Sequence, residues 1–352
     1  MFTRGETKVL KVGSVALGAD EPVRVESMTK TDTRDVGTTL AQLERLAAAG
    51  CELARAAVPD VGAVAAFGEL VRRSPLPLMA DIHFDYRLAL ACLDAGAGSI
   101  RLNPGNIKRE EHWAAVGREM AARGVPARVG VNAGSLDDAV IERHGGRTAQ
   151  AMAASALDAV KRLEESGLED IIVSAKATSP AVTLGANRLI AEELSYPLHV
   201  GVTEAGFGDA GVVRAVAGLS LILAAGLGNT IRVSLTDAPE REVAVAYEVL
   251  RALGLRRRGP TVISCPGCGR AQVDVGALAR RVAESLNGDF RDVKVAVMGC
   301  AVNGPGEASE ADVGIAGGKG RGVVYRKGRV VRAAAEADLV AALLEELDKL
   351  AD

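Results

Sequence analysis

The chain has 352 residues, of which 48% are apolar and only 3% are aromatic, and it contains 40 glycines. This length exceeds what one hydrophobic core normally reaches, so we expect one large domain and a smaller one. With 42 basic and 45 acidic residues the formal net charge is -3, which excludes a global field that attracts nucleic acid or an anionic membrane. We therefore expect neither a nucleic-acid partner nor a membrane partner.

The N-terminal segment MFTRGETKVLKVGSVALG has no apolar core of signal-peptide length. No later apolar run reaches the roughly 18 residues that a membrane-spanning helix requires. Five cysteines in a chain this long do not make a disulfide framework, and a close cysteine pair in a reducing compartment favours a metal or redox site. These features predict a soluble, cytoplasmic protein.

Short β-rich runs alternate with amphipathic helical stretches from residue 23 onward. The first predicted helix begins at Thr38 or Thr39 as the cap and stops at Gly50. The glycines that we expect to end later helices in the same way are Gly96, Gly124, Gly167 and Gly226. The predicted strands cover residues 23–29, 53–58, 78–84, 99–105, 127–134, 170–177, 198–205 and 230–236. Eight strand–helix units in this order predict an α/β fold of the TIM (β/α)8 barrel type.

A linker follows the last barrel helix, because residues 253–260 (LGLRRRGP) combine three arginines with a final Gly-Pro. The pattern after it is a strand, a helix at 277–287, a strand at 293–300, a glycine-rich loop, strands at 313–318 and 322–331, and an amphipathic helix. This pattern predicts a small α+β domain. We therefore expect a barrel domain at residues 1–255 and a second domain at residues 260–352.

Polar residues interrupt seven of the eight predicted barrel strands. Inward-facing positions of a purely structural barrel are mostly branched and apolar, and barrel enzymes place their active sites at the C-terminal ends of the strands. Strand seven also carries Glu204 near its end. The twelve residues that we assign to one substrate pocket are Arg55, Asp81, His83, Arg101, Asn103, Arg128, Asn132, Ser174, Lys176, His199, Arg232 and Ser234. The alternative is that several of them face outward and pair with carboxylates, which the same placement on seven strands disfavours.

Five cations would meet in this pocket with few opposing carboxylates, namely Arg55, Arg101, Arg128, Lys176 and Arg232. A water-poor pocket does not tolerate that arrangement without an anionic ligand. The planar guanidinium group suits phosphate, so the pattern predicts a substrate with one or more phosphoryl groups. The residues that would orient its neutral polar groups are Asp81, His83, Asn103, Asn132 and Ser174.

Three cysteines form a second constellation near the C-terminus. Cys265-Pro-Gly-Cys268 places two thiols on one tight turn, and Cys300 ends a later strand. A [4Fe–4S] cluster tolerates three thiolates with an oxygen ligand on the fourth iron, and Glu307 is the nearest candidate oxygen. Zinc would lack a fourth ligand, since no histidine follows His199, and a thioredoxin-like dithiol leaves Cys300 unexplained. The pattern favours the cluster, with zinc and the dithiol as alternatives.

The motifs that carry a family resemblance are ADIHFD (80–85), RLNPGNI (101–107), RVGVNAGSL (128–136), VTEAG (202–206), IRVSLT (231–236), CPGCGR (265–270) and GCAVNGPGE (299–307). Together they closely resemble the 4-hydroxy-3-methylbut-2-enyl diphosphate synthases, the iron–sulfur enzymes of the non-mevalonate isoprenoid pathway. The similarity runs in order from about residue 8 to the C-terminus.

The resemblance implies an oxidoreductase in which a TIM barrel precedes a cluster domain. The implied reaction is the reductive ring opening and dehydration of 2-C-methyl-D-erythritol 2,4-cyclodiphosphate by two electrons. Matched by motif, the resemblance implies a [4Fe–4S] cluster on Cys265, Cys268, Cys300 and Glu307, and an acid–base role for Glu204. It also implies an electron donor protein, either ferredoxin or flavodoxin.

We further expect a head-to-tail homodimer. The last barrel helix ends at the rim opposite the reactive mouth, and the short linker there cannot carry the cluster domain back across its own barrel. Two other classes remain as alternatives. A zinc or metal-free TIM-barrel enzyme for another phosphorylated or pterin-like substrate would leave the cysteines unexplained. A nucleic-acid-binding module would lack aromatic stacking residues and a positive net charge.

Overall fold

The computed structural model describes residues 4–300, 306 and 309–350. The chain divides into two compact units, Met1–Arg256 and Arg257–Asp352, each with its own sheet and hydrophobic core. None of the helices in the described part of the chain is both long and apolar enough to cross a membrane.

The first unit is a parallel barrel preceded by an antiparallel hairpin of β1 (Leu10–Val12) and β2 (Val15–Leu17). The barrel strands are β3 (Arg24–Met28), β4 (Leu53–Ala57), β5 (Leu78–Ile82), β6 (Ser99–Leu102), β7 (Ala127–Asn132), β8 (Ile171–Lys176), β9 (His199–Val200) and β10 (Thr230–Ile231). They pair in the order β8-β7-β6-β5-β4-β3-β10-β9, and a parallel bridge between Val173 and Leu198 joins the two ends. The predicted TIM barrel is confirmed.

Helices follow the strands around the outside of the barrel. They are α1 (Val36–Ala49), α2 (Val61–Arg73), α3 (Tyr86–Asp94), α4 (Glu110–Arg123), α5 (Asp138–Arg143), α6 (Ala149–Glu165), α7 (Pro180–Glu193), α8 (Gly208–Ala224) and α9 (Pro239–Ala252). The predicted cap of α1 is wrong, because Asp35 is the N-cap and its carboxylate accepts the Thr38 N–H at 3.1 Å. The predicted stop at Gly50 is confirmed, since this residue adopts φ 99°, which glycine tolerates best.

Strands seven and eight are much shorter than predicted. The predicted runs covered residues 198–205 and 230–236, whereas β9 and β10 have two residues each. Beyond them the two backbones approach closely, because a Cβ at Gly201 would lie 2.3 Å from the Arg232 carbonyl oxygen. The chain then turns away from the sheet, with positive φ at Glu204 and Gly206. Several predicted site residues therefore lie in loops.

The core of the first unit fills the space between the sheet and the helices. On β7, for example, Ala127, Val129 and Val131 belong to this core, so the alternate residues Arg128 and Gly130 face the barrel axis. At the N-terminal end of the barrel a separate apolar cluster fills the interior. Its buried members are Leu10, Val12, Leu17, Leu53 and Ile172, so the hairpin closes that end. Polar side chains inside the barrel therefore lie toward the C-terminal ends of its strands.

In the residues that the structure describes, the second unit contains a five-stranded sheet with helices packed against it. The strands pair in chain order, as β11 (Thr261–Ser264), β12 (Lys294–Met298), β13 (Val313–Gly318), β14 (Arg321–Arg326) and β15 (Arg329–Ala335). The helices α10 (Val275–Ser285) and α11 (Leu339–Asp348) share one apolar cluster with the sheet. The run predicted as one strand at 322–331 is a hairpin, since Lys327 and Gly328 adopt φ 49° and 74° and form its turn. The predicted α+β character of this unit is confirmed.

Candidate functional site

A cavity of about 210 Å³ opens at the C-terminal end of the barrel. Its walls contain eleven of the twelve residues assigned to the substrate pocket from the sequence. The lining residues are Met28, Arg55, Asp81, His83, Arg101, Arg128, Gly130, Asn132, Ser174, Lys176, His199, Thr203, Arg232 and Ser234. The strands thus bring together side chains that are spread over some 180 residues of sequence.

Two predicted residues do not line the cavity. Asn103 is buried, but its amide donates to Ser135 Oγ at 3.0 Å and its side-chain oxygen accepts the Gly105 N–H at 3.0 Å. It therefore stabilises the loop after β6. Glu204 lies exposed on the loop after β9 with φ 54°, a left-handed conformation that is unusual for a residue with a side chain.

Asp81 is the counter-ion of two cavity arginines. Its carboxylate lies 3.1 Å from Arg101 Nη1 and 3.5 Å from Arg55 Nε. Burial raises the pKa of Asp81, but Arg55 and Arg101 outweigh that effect and hold the pKa below its usual range. Burial lowers the pKa of Arg101 to about 10, which leaves this arginine charged at neutral pH. Asp81 is therefore an internal counter-ion of the cavity, and its role in orienting neutral substrate groups stays a prediction.

A buried ion pair between Glu26 and Arg128 lies beneath the cavity. Both side chains are 1% exposed, and Arg128 Nη1 donates to the Glu26 carboxylate. Burial raises the pKa of Glu26, but the charges of Arg128 and Arg55 lower it by more, so the pKa lies below its ordinary value. Sequence reasoning missed Glu26, although it is a charged residue inside a barrel strand. The criterion used for the other seven strands, a charged residue inside a barrel strand, would have identified Glu26 on β3.

Lys176 and His199 form a second buried pair. Lys176 Nζ lies 2.8 Å from His199 Nε2, and His199 Nδ1 lies 2.5 Å from Thr230 Oγ1. Burial and the neighbouring Arg232 and Arg128 lower the pKa of Lys176 well below its ordinary value. Burial and Lys176 likewise lower the pKa of His199 well below its usual range. Both shifts favour the uncharged forms of the two side chains.

Three cavity arginines present nitrogen atoms without a hydrogen-bond partner among the described residues. These atoms are Arg55 Nε, Arg128 Nη2 and Arg232 Nε, and all three are buried. Leaving such a donor unsatisfied costs about 1–3 kcal/mol, so buried donors are normally paired. An anion with several oxygen acceptors would supply the missing partners. The cavity therefore fits a phosphorylated ligand.

Two glycines make room for the cations. A Cβ at Gly130 would lie 2.5 Å from Arg101 Nε, so only glycine lets the guanidinium cross the strand at this level. Arg101 Nη2 uses the space to donate to the Gly130 carbonyl oxygen at 2.9 Å. A Cβ at Gly201 would lie 3.3 Å from Lys176 Nζ. The small residues are thus part of the cavity's architecture.

The three cysteines of the second constellation lie at one end of the second unit's sheet. Strands β11 and β12 are parallel, with Ser264 beside Val297, so Cys265 and Cys300 follow the C-terminal ends of neighbouring strands. The Gly299 N–H donates to Cys265 Sγ at 3.2 Å. Hydrogen bonds from Arg270 lower the pKa of the exposed Cys268 thiol. The lowered pKa of Cys268 favours its thiolate, the form in which cysteine binds metals.

The structure does not assemble these thiols into a ready metal cage. Within residues 4–300, 306 and 309–350, no three His, Cys, Asp or Glu side chains are close enough together to hold a metal ion. Glu307, the predicted oxygen ligand, lies outside the described residues. The donor chemistry of the cysteines nevertheless fits an iron–sulfur cluster, since hydrogen-bonded thiolates are its usual ligands.

Comparison with known proteins extends over both units. A family model described as the GcpE TIM-barrel domain matches residues 7–247, and one described as the GcpE protein C-terminal domain matches residues 261–349. The 4-hydroxy-3-methylbut-2-en-1-yl diphosphate synthase (flavodoxin) of Geobacter sulfurreducens is 50% identical over 349 residues, covering 99% of this chain and 98% of the relative. The protein of the same name from Maridesulfovibrio salexigens is 50% identical over 332 residues, covering 94% and 93%.

Among solved structures, a truncated form of 3-deoxy-D-arabino-heptulosonate 7-phosphate synthase from Thermotoga maritima is similar with a TM-score of 0.52 and 14% identity. The match covers 72% of this chain and 97% of the solved structure's chain, and this likeness supports the barrel fold alone. The two family models and the curated relatives cover the barrel and the cysteine-bearing unit alike. The chain therefore belongs to the GcpE family of oxidoreductases, whose curated members are named 4-hydroxy-3-methylbut-2-en-1-yl diphosphate synthase (flavodoxin).

Proposed function

We propose that this chain converts 2-C-methyl-D-erythritol 2,4-cyclodiphosphate to 4-hydroxy-3-methylbut-2-enyl diphosphate by reductive ring opening and dehydration. The names of the relatives support the product and the flavodoxin as electron donor. The observation that carries the proposal is the set of three buried arginine nitrogens without partners in the barrel cavity. A cyclic diphosphate offers several oxygen acceptors within the small volume that these donors surround.

The cavity cations have two tasks in this reaction. Arg55, Arg128 and Arg232 donate to phosphoryl oxygens and hold the ring in place. When the C–O bond to phosphate breaks, the released phosphate oxygen becomes an additional anion. Lys176 and the arginines stabilise that charge as it develops, so no proton is needed on this oxygen.

The hydroxyl group that leaves as water needs one proton. We assign its delivery to Glu204, as the family resemblance implies. Its left-handed backbone conformation supports a functional role, because such strain costs on the order of 1–3 kcal/mol and is concentrated at active sites. Its neighbour Thr203 lines the cavity, and a proton on the Glu204 carboxyl group would be donated to the departing oxygen in the transition state.

A [4Fe–4S] cluster held by Cys265, Cys268 and Cys300, with Glu307 as the oxygen ligand, completes the proposal. When bound, such a cluster supplies the two electrons of the reaction one at a time. The Gly299 N–H to Cys265 Sγ hydrogen bond would stabilise a thiolate ligand. Arg270 does the same for Cys268, whose thiol pKa it lowers.

We also propose a head-to-tail homodimer in which one copy's cluster unit covers the barrel mouth of its partner. The support comes from the point where the barrel unit ends. Arg256 Nη1 donates to the Val23 carbonyl oxygen at 3.1 Å and lies 2.6 Å from Glu52, next to the N-terminal ends of β3 and β4. The four residues from 257 to 260 span at most about 14 Å, and the cavity opens at the opposite end of the barrel.

Anaerobic purification followed by iron and sulfide analysis tests the cofactor. Turnover of the cyclodiphosphate with a chemical reductant, and then with reduced flavodoxin, tests the reaction and the donor. We expect brown protein, about four irons per chain and product formation in both assays. Iron-loaded protein that leaves the cyclodiphosphate unconsumed would contradict the proposed reaction.

A further inference from the structure

A buried carboxylate that the reaction does not use lies behind the cavity. Glu242, in the first turn of α9, has a side chain that is 1% exposed. Its carboxylate accepts the Leu235 N–H at 2.9 Å and the Ser27 hydroxyl at 3.3 Å. It also lies 3.9 Å from Arg232 Nε, at ion-pair distance but beyond a hydrogen bond. Glu242 is therefore a potential competitor for a cavity arginine.

Lys30, in the loop after β3, neutralises this carboxylate. Its ammonium group lies 2.9 Å from Glu242 Oε1 and donates to the Leu235 carbonyl oxygen at 2.7 Å and to the Asp237 carbonyl oxygen. These contacts use all three donors of a lysine. Lys30 therefore joins the first and last strand–loop units of the barrel and compensates the charge of Glu242.

Arg232 lies between two possible acceptors. Strand β10 ends at Ile231, so Arg232 stands just past the regular sheet. Its side chain lines the cavity, and its Nε has no hydrogen-bond partner among the described residues. An anion in the cavity would accept a hydrogen bond from Arg232 Nε on the cavity side. The Glu242 carboxylate could accept it on the opposite side. A carboxylate already paired with Lys30 attracts Arg232 less strongly.

We propose that Lys30 is a positioning residue for substrate binding, which acts by occupying Glu242 so that Arg232 stays available to an anion in the cavity. The inference rests on the proposed function only in that the cavity binds a phosphoryl group. A purely structural role of Lys30 would not predict opposite effects for the two substitutions. Losing Lys30 and losing Glu242 must have different effects on anion affinity, and the second loss must reverse the first.

Inorganic diphosphate is the probe, and its affinity for the purified full-length protein is measured by isothermal titration calorimetry. In Lys30→Gln the unpaired Glu242 draws Arg232 away, and we expect diphosphate affinity to fall about tenfold, the effect of losing one charge-assisted bond. Glu242→Gln keeps an acceptor for the Leu235 N–H and frees Arg232, so it should bind at least as tightly as the parent. The double variant should recover most of the loss.

Lys108→Gln is the matched control, because Lys108 pairs with Asp137 on another loop of the same barrel and does not line the cavity. It removes the same charge and should leave affinity within about twofold. Equal losses in Lys30→Gln and Glu242→Gln, with no recovery in the double variant, would overturn the inference. If Lys30→Gln failed to fold by circular dichroism, Glu242→Gln alone would decide, since weaker binding there contradicts it. A parent protein that binds no diphosphate would instead contradict the proposed function.

Discussion

The Nζ atom of Lys176 lies 2.8 Å from Nε2 of His199, and both side chains are buried at the cavity wall. When Lys176 is an ammonium it has donors only, so Nε2 is the acceptor in this bond. The ring proton then resides on Nδ1 and is donated to Thr230 Oγ1, 2.5 Å away. His199 is thereby fixed as a neutral imidazole that orients Lys176 toward the cavity.

This pair predicts that anion binding is accompanied by proton uptake. Burial and neighbouring arginines lower the pKa of Lys176, and a bound anion opposes that effect by favouring the ammonium form. Protons must then be taken up at any pH between the free and bound pKa values. Sulfate, which does not itself titrate near neutral pH, is the probe in calorimetry with buffers of different ionisation enthalpy. Uptake should vanish in Lys176→Met, and a binding heat independent of the buffer in the parent would contradict the prediction.

The same residues predict how stability depends on pH. Burial and Lys176 hold the pKa of His199 in the folded protein well below 6.5, its ordinary value. Between the folded-state pKa and 6.5 the unfolded chain therefore binds more protons than the folded one. Stability therefore rises with pH through this window, by up to about 1.4 kcal/mol per pH unit for one proton. The lowered pKa of Lys176 makes stability rise with pH in the same way up to its ordinary pKa of 10.5. Urea unfolding between about pH 5 and pH 8 should show this rise, and His199→Gln should flatten it below 6.5.

Much of the cavity was predictable, because charged residues inside barrel strands have few structural explanations. The parity of Arg128 and Asn132 on β7 correctly indicated inward-facing side chains. Glu26 carries the same signal on β3 and could have been found. Glu242 could not, since a glutamate in the first turn of a helix is ordinary and only the tertiary fold turns it toward Arg232.

The loops were the harder part to predict from the sequence. Residues 201–205 and 232–236 continue a β-rich pattern, yet the ladder stops at Val200 and Ile231. The close approach of Gly201 to the Arg232 backbone is a tertiary contact that periodicity does not encode. The cap of α1 was misassigned for a similar reason, because Asp35, Thr38 and Thr39 are all plausible caps until the loop geometry selects one.

Gly130→Ala should weaken anion binding without unfolding the barrel. The added methyl group would lie 2.5 Å from Arg101 Nε, so the guanidinium must move away from the cavity wall. We expect diphosphate affinity to fall about tenfold, as when one charge-assisted hydrogen bond is lost. Gly134→Ala is the matched control, because its new Cβ meets nothing within 4 Å. Equal affinity in the two variants would mean that Arg101 does not contribute to the anion site.

The five cysteines should separate into two chemical classes. Burial raises the pKa of Cys51 and of Cys92 to about 12, so neither thiol should react with iodoacetamide in the folded, metal-free protein. Cys268 is exposed and its pKa is lowered, so it should react first. Mass spectrometry of labelled peptides checks the order.

Substitution extends this test to the proposed cluster. Cys300→Ser should lose most of the bound iron after anaerobic reconstitution, since it removes one of three thiolate ligands. Cys92→Ala removes a thiol from the barrel core and should retain the iron. Iron loss in Cys92→Ala, with a fully loaded Cys300→Ser, would show that the ligand assignment is wrong.

Mixing two inactive variants tests the proposed assembly. Lys176→Ala with Arg232→Ala in one chain removes two cavity cations, and Cys300→Ser in the other removes a cluster ligand. In a head-to-tail dimer of one chain of each kind, the intact barrel of the Cys300→Ser chain meets the intact cluster unit of the other, so one of the two sites is complete. Subunit exchange should therefore restore up to about a quarter of the parent activity, since half of the chains form mixed dimers with one working site each. Exchange that is demonstrated by mass spectrometry of labelled chains but restores no turnover would mean that each chain uses its own cluster.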